Sequence, residues 1–270
     1  EFAIRSVLLK SPLDALTILT SWLTDKNEHV RRLISEGTRP RLPWGVRLPI
    51  FIQQPELVMP LLVALRDDQS EYVRRSVANH LNDISKDHPV LIIQTAQDWL
   101  SKKQLEQLSS ADVKNRIKLI RHACRTLFKQ GEPRVMALFG YQQADDIRCS
   151  LSSDNIAVPF ESVFEFDVLL ESIGSNDESS ASIPVSTQAN NKLMIDYVIH
   201  FQKANGTQAP KVFKWLDRPV THSVSERVTK RHSFKKISTR KYYPGPHRLE
   251  VMVNGVKKAQ LEFELLKPSS

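Results

Sequence analysis

The sequence predicts a multidomain chain, α then β. Stacked helices occupy residues 1–143, and an antiparallel β-sandwich occupies 144–267. Three observations predict this. Apolar residues recur every three or four positions in the first half, as in Leu13, Leu16, Leu19, Leu23 and again in Leu57, Leu61, Leu65. From residue 145 the period becomes two, as in Leu193, Ile195, Tyr197, Ile199, Phe201. The helical half also repeats itself, because Glu71-Tyr-Val-Arg-Arg copies Glu28-His-Val-Arg-Arg 43 positions later.

The chain opens on Glu1-Phe-Ala-Ile-Arg-Ser-Val-Leu-Leu, which reads as a helix already under way, as expected of a sequence that starts inside a larger protein. The offset of 43 also pairs Ile34 with Val77, and a looser third copy sets Ile120-Arg121-His122-Ala123-Cys124 against Val73-Arg74-Arg75-Ser76-Val77. Helix pairs repeating every ~40 to 47 residues, with Val-Arg-Arg opening the second helix, resemble HEAT repeats. Such units bury their apolar faces only by stacking, so a right-handed α-solenoid is expected whose second helices line its concave face. Trp22 and Trp99 sit on helices and are expected in the core, and Cys124 fills an apolar helix position.

In the second half, Val163, Phe164, Phe166, Val168 and Leu170 form a first strand. In the run Leu193 to Phe201, Lys192, Asp196, His200 and Gln202 lie on the opposite face. Leu249, Val251, Val253, then Asn254-Gly255, then Lys257, Ala259, Leu261, Phe263, Leu265 predicts a hairpin, because Asn-Gly suits a primed turn. Six or seven such strands fit an immunoglobulin-like β-sandwich in topology, without that fold's cysteine pair. The stretch from Gly174 to Thr187, rich in Ser, Asn and Asp, reads as a long loop.

Composition bounds the function. At 41% hydrophobic and 25% charged residues, with 8 Gly and 15 Pro, global disorder and collagen-like structure are excluded. No apolar run reaches the ~18 residues of a membrane span, and no signal-peptide core appears. Two cysteines, Cys124 and Cys149, match no disulfide framework or metal spacing, so a reducing, intracellular setting is expected. His80, His88 and His122 lack mutual metal spacing, and no metal or cofactor is expected. The net charge is +8, which favours a polyanionic partner. Residues 1–143 carry +6, 145–178 carry −8 and 192–258 carry +11. Arg227, Lys230, Arg231, Lys235, Lys236, Arg240 and Lys241 crowd one short stretch beside Tyr242 and Tyr243. Two basic clusters in separate domains suit a phosphate track, although any single arginine can equally cap a helix or lie on a solvated face.

The most informative stretch is Val30-Arg-Arg-Leu-Ile-Ser-Glu36-Gly-Thr-Arg39-Pro-Arg41-Leu-Pro-Trp44-Gly45. Its helix ends near Glu36-Gly37, where Gly suits the first residue past the helix. A carboxylate there meets the negative end of the macrodipole and needs a reason. Either Glu36 organises the surrounding arginines, or it faces a cation from outside. Asp83 holds the matching place in the second copy, and Glu1 the corresponding edge of the preceding one. Acids and a Trp inside a basic groove suit DNA that carries an N-alkylated, cationic base. Cleaving its glycosidic bond builds positive charge on the sugar, which a carboxylate and an aromatic face both stabilise.

Glu1-Phe-Ala-Ile-Arg, the Arg31–Trp44 block and Ser76-Val-Ala-Asn-His-Leu-Asn-Asp83 resemble the AlkC-type DNA alkylation repair glycosylases, within the HEAT-like repeat AlkC/AlkD group. The resemblance covers residues 1–141. It implies excision of 3-methyladenine and 3-methylcytosine from double-stranded DNA without base flipping, leaving an abasic site, in the bacterial cytoplasm and at the nucleoid when bound to DNA; a monomer is the default expectation. It makes Glu36 the main catalytic carboxylate, Trp44 the wall against the deoxyribose, and Asp83 and Glu1 supporting acids. Arg32, Arg39, Arg75 and Arg121 become phosphate contacts, as does Arg41 within the same block. Lys235, Lys236 and Arg240 assign DNA contacts to the second domain, whose immunoglobulin-like form fits some members of the group. The competing readings are a non-catalytic HEAT scaffold for DNA or protein, Trp44 as a buried anchor, and Asp83 as a partner of Arg75 or a helix cap.

Overall fold

In the computed structural model the described residues are 1–141, 145, 147–172, 192–219 and 225–268. They form two compact units, one of Glu1–Lys129 and one that starts at Gln130.

The first unit is helical. α1 (Phe2–Lys10) and α2 (Pro12–Ser21) lead to α3 (Glu28–Gly37), then α4 (Pro49–Gln53), α5 (Met59–Leu65), α6 (Glu71–Ile84), α7 (Pro89–Trp99), α8 (Lys102–Leu105), α9 (Ser110–Ala123) and α10 (Arg125–Lys129). α3 packs on α6 and α6 on α9, so these three helices lie side by side. Their buried faces carry Ile34, Val73, Val77, Leu81, Leu119 and Ile120, and α2, α5 and α7 add Leu16, Leu19, Leu62, Leu65, Ile92 and Ile93. Each such side chain contributes about 1.5–3 kcal/mol by leaving water. Asn27 caps α3 by accepting from the His29 amide.

The repeated Val-Arg-Arg has a division of labour. Arg31 donates to the Asp25 and Lys26 carbonyls and to both oxygens of Asp68. Arg74, its counterpart, donates to the Asp68 and Gln69 carbonyls. The first arginine of each pair therefore ties its helix to the preceding loop. The third copy is displaced: Ile120-Arg121-His122 lies in the last turn of α9, not the first. There the buried Arg116 makes the tie, to Asp67 and the Trp99 carbonyl. Trp99 is core as expected, whereas Trp22, at the end of α2, is exposed.

The second unit begins with α11 (Pro133–Leu138), which is helical yet groups with the β-strands. Gly131, at φ 69°, approaches so close to Gly255 that a Cβ would sit 2.7 Å from its backbone. One sheet orders β1 (Ile147–Ser152), β3 (Val163–Ser172) and β6 (Glu226–Ser233). The other orders β2 (Ala157–Val158), β8 (Val256–Leu265), β7 (Gly245–Val253), β4 (Lys192–Gln202) and β5 (Gln208–Pro219). One core joins them, with Phe164, Phe166 and Val168 from the first sheet and Ile195, Tyr197, Val251 and Phe263 from the second. The β7–β8 turn places Asn254 and Gly255 both at positive φ, as the primed turn requires. β4 departs from simple alternation. It is interior to its sheet, and Met194, Asp196 and Val198 on its other face are buried too. The stretch Gly174 to Thr187 lies outside the described residues. Among those residues no helix is long and apolar enough to cross a membrane.

His232 is buried among Phe201, Phe213 and Phe234 and meets the Tyr197 hydroxyl through Nδ1. Burial, aided by Arg240, Lys230 and Lys211, lowers its pKa to about 4. The unfolded chain then binds a proton at higher pH than the folded one, so this contribution to stability is complete above the ordinary histidine value and lost as pH falls towards 4. His232→Phe is expected to remove about 2 kcal/mol of the difference between pH 7 and pH 5 in urea unfolding of this unit. An unchanged pH dependence contradicts the assignment.

Candidate functional site: a ladder of alternating charge beside an exposed tryptophan

The acids singled out in the sequence are joined by arginines. Arg32 reaches Glu1 at 3.4 Å and Glu36 at 3.7 Å. Arg39 donates through Nη1 to Glu36 at 2.7 Å and through Nε to Asp83 at 2.8 Å. Lys86 closes the series on Asp83 at 3.0 Å. The result is an alternating ladder, Glu1–Arg32–Glu36–Arg39–Asp83–Lys86, across α1, α3 and α6. The second Glu36 oxygen accepts from Ser76, and the Ser76 hydroxyl accepts from Ser35. His80, fully buried, meets the Ser35 carbonyl through Nδ1, and burial lowers its pKa to about 4. Burial works against the Arg39 charge, but its bond to Asp83 and the charges of Asp83 and Glu36 outweigh that and raise its pKa.

Two of the acids are buried. Glu36 is 5% and Asp83 1% exposed, with every carboxylate oxygen engaged. Glu1 adds its carboxylate to the Arg32 end of the series. Arg32 also stacks over the exposed ring of Tyr72, 4.4 Å from its centroid.

Trp44 is not a buried anchor: it is 100% exposed. It occupies the third position of a turn closed by the Gly45 amide on the Leu42 carbonyl, 3.1 Å. Pro43 suits the second position, but the φ of 64° at the third normally selects glycine. A Trp there carries about 1–3 kcal/mol of backbone strain. The turn is held by Leu42 and Leu48, both buried, and by Arg5. Arg5 donates to the Gly37 and Arg39 carbonyls, each at 2.9 Å, and through both Nε and Nη2 to the Val46 carbonyl. Gly37 is the last residue of α3, not the residue past it. It has no positive φ, and a Cβ there would meet Ile4 of α1 at 2.8 Å.

The expected phosphate contacts divide. Arg39 is buried between two carboxylates, and Arg41 is paired with both oxygens of Asp87 at 2.7 and 2.6 Å, so neither presents a free fork. Arg121 is half-buried over the Phe128 ring. Arg75 is exposed in a groove with Arg74, Lys118 and His122, between α6 and α9. In the second unit, β3 neutralises β6, through Glu165 with Arg231 and Asp167 with Arg227. Lys235 and Lys236 are exposed, and Arg240 lies over Phe201 at 4.2 Å. A cleft of about 390 Å³ lined by Lys236, Arg240, Lys241 and Tyr242 adjoins them. Arg5, Ser76 and Tyr72 were not singled out in the sequence, and His80 was weighed only as a metal ligand. Arg5, Ser76 and His80 lie inside the blocks that carry the resemblance, but nothing in their spacing announces buried polar partners.

Helices followed by an immunoglobulin-like unit, with acids bridged by arginines beside an exposed Trp, define a class. A family model described as "Uncharacterised protein YhaZ, C-terminal Ig-like domain" matches residues 163–267. Over 265 residues the chain is 40% identical to uncharacterized protein YhaZ of Bacillus subtilis, covering 98% of this chain and 68% of that protein. The structure of Pseudomonas fluorescens alkylpurine DNA glycosylase AlkC bound to DNA containing an abasic site analog superposes with a TM-score of 0.77 at 36% identity. That match covers 98% of this chain and 68% of AlkC. The chain belongs to the AlkC-type glycosylase family, together with YhaZ, in the form that carries a C-terminal immunoglobulin-like domain.

Removing one partner of a buried ion pair strands the other, at about 3–5 kcal/mol. Arg39→Met is therefore expected to lose at least that much in urea unfolding, since two carboxylates lose their shared cation. Trp44→Gly is expected to leave stability unchanged or raise it by about 1 kcal/mol, because strain is relieved and no packing is lost. A large loss in Trp44→Gly would show that the ring has a packing role.

Proposed function

We propose that this chain is a monofunctional DNA glycosylase that excises cationic alkylated bases, 3-methyladenine and 3-methylcytosine, from double-stranded DNA and leaves an abasic site. The observation that carries this is Trp44, held fully exposed in a strained conformation beside the acid ladder, in a chain 36% identical to an alkylpurine DNA glycosylase bound to DNA containing an abasic site analog. A strained, solvent-facing aromatic that packs on nothing is ordered for a ligand.

In this reading α1–α10 form a right-handed solenoid of HEAT-like repeats, with α3, α6 and α9 lining the DNA-binding surface. The expected bounds, 1–143 and 144–267, set α11 in the first domain, whereas the compact units divide before it, at Gln130. Arg75 holds phosphate, Arg32 and Arg121 stand close by, and Lys235, Lys236 and Arg240 let the second domain grip backbone. The protein acts as a monomer in the bacterial cytoplasm.

The lesion stays in the duplex, and the Trp44 face packs on its deoxyribose. The C1′–N bond breaks, its electron pair leaves with the base, and the base becomes neutral. No metal or cofactor is needed, since the leaving group is already activated. Glu36, Asp83 and Glu1 supply the negative field that stabilises the sugar cation. Water adds to C1′ and loses its proton to a carboxylate. Arg39 thus serves the acids, not the phosphates.

The test is release of free base from duplex DNA carrying 3-methyladenine or 3-methylcytosine under single-turnover conditions. Glu36→Gln and Glu1→Gln are each expected to slow release by about 10²–10³-fold, with DNA binding retained or tightened. Full excision by both variants sinks the carboxylate assignment. The alternative, a non-catalytic HEAT scaffold, is favoured by the complete pairing of Glu36 and Asp83. Salt-sensitive DNA binding with no base release from the wild-type protein would select it.

A further inference from the structure

Arg5 and Arg116 are the largest fully buried side chains among the described residues, and the donors of Arg5 all end on one loop. That loop leaves α3 at Gly37 and returns at Leu48, whose amide donates to the Pro40 carbonyl at 3.2 Å. Arg5 binds it at both ends, the Gly37 and Arg39 carbonyls on the outgoing side and the Val46 carbonyl on the return. Trp44 lies at the tip between these anchors.

The Trp44 ring touches nothing that could hold it, and its left-handed φ is one that a free loop would abandon. Its order must come through the backbone. The Gly37 carbonyl belongs to the last turn of α3, where carbonyls have no helical partner and a cation is favoured. A planar guanidinium with five donors can satisfy three carbonyls in one plane, which a lysine ammonium cannot. The approach is built for it: at Gly45 a Cβ would lie 3.2 Å from Arg5 Nε, and at Gly37 one would lie 2.8 Å from Ile4 on the same helix. Both glycines flanking the loop are thus gaps through which α1 reaches it.

We infer that Arg5 is a positioning residue: it clamps the 37–46 loop so that Trp44 is presented in one orientation, and the rate of base excision depends on it through Trp44. The kinetic half of this rests on the glycosylase reading; the structural half does not.

The experiment uses the full chain labelled with 5-fluorotryptophan. Its four tryptophans are resolved by fluorine NMR, with Trp44 assigned from Trp44→Phe. In Arg5→Lys the Trp44 resonance is expected to broaden or split while those of Trp22, Trp99 and Trp215 stay in place. A Trp44 resonance that stays sharp and unmoved overturns the inference. In single-turnover excision, Arg5→Lys is expected to lose about a hundredfold with DNA affinity kept, as a misplaced contact does. The double variant with Trp44→Ala should be no slower than Trp44→Ala alone. Independent, multiplying losses overturn it. If Trp44→Ala excises at the wild-type rate, the glycosylase role of Trp44 fails, and the resonance still decides on the clamp. Should Arg5→Lys not fold, Gly45→Val leaves α1 intact and displaces the guanidinium from the loop. It must slow excision as Trp44→Ala does, and wild-type excision by Gly45→Val overturns the inference.

Discussion

A guanidinium buried between two carboxylates governs the arrangement around it. Arg39 and its partners Glu36 and Asp83 are nearly excluded from water, and each ion alone would cost several kcal/mol to bury. Alternation makes the set tolerable, because each charge sees an opposite charge within hydrogen-bond distance. The same set fixes geometry. Glu36 is on α3, Asp83 on α6, and Arg39 in the loop between α3 and α4, so the two helices can slide past each other only by breaking it. Ser35, Ser76 and His80 repeat the α3–α6 contact with neutral groups. His80 is neutral because burial lowers its pKa to about 4, so it adds no charge to a site that has little room for one.

What is left outside this network is informative. The middle of the ladder, from Glu36 to Asp83, is buried, and Trp44 stands free in solvent. In each Val-Arg-Arg copy the first arginine, Arg31 or Arg74, is tied to the preceding loop; of the second ones, Arg32 joins the ladder and Arg75 faces outward. The second unit obeys the same logic. Acids of β3 meet bases of β6 across the strand pair, and the cations left over gather in the turn that carries Lys235 and Lys236. A local excess of charge in the sequence is therefore an upper bound on the charge available to a partner.

The fold was largely legible because its signals are local. The 3.6-residue and two-residue periods, the Val-Arg-Arg repeat and the Asn254-Gly255 turn each depend on neighbours a few positions apart. The third repeat was misplaced because it lacks that arginine pair: Arg116 makes the tie from mid-helix, to an acid 49 positions away. Among the acids, residue type and rough place were legible, but accessibility was not. Glu36 is buried against Arg39 and against Ser76 of α6, which lies 40 positions away. The role of Gly37 was misjudged for the same reason: its neighbour is Ile4, on another helix.

If the proposed function holds, acids in a groove that meets DNA pose a problem, since each repels phosphate. The ladder answers it. Three carboxylates alternate with two arginines and a lysine, so the set is neutral from a distance and imposes little repulsion beyond a Debye length. At contact distance the charges separate again. In the proposed reading, such a set would tolerate a polyanion and still favour positive charge at one point along it. This requires the acids to be ordered by their own cations, and Arg39, though basic, is spent on Glu36 and Asp83.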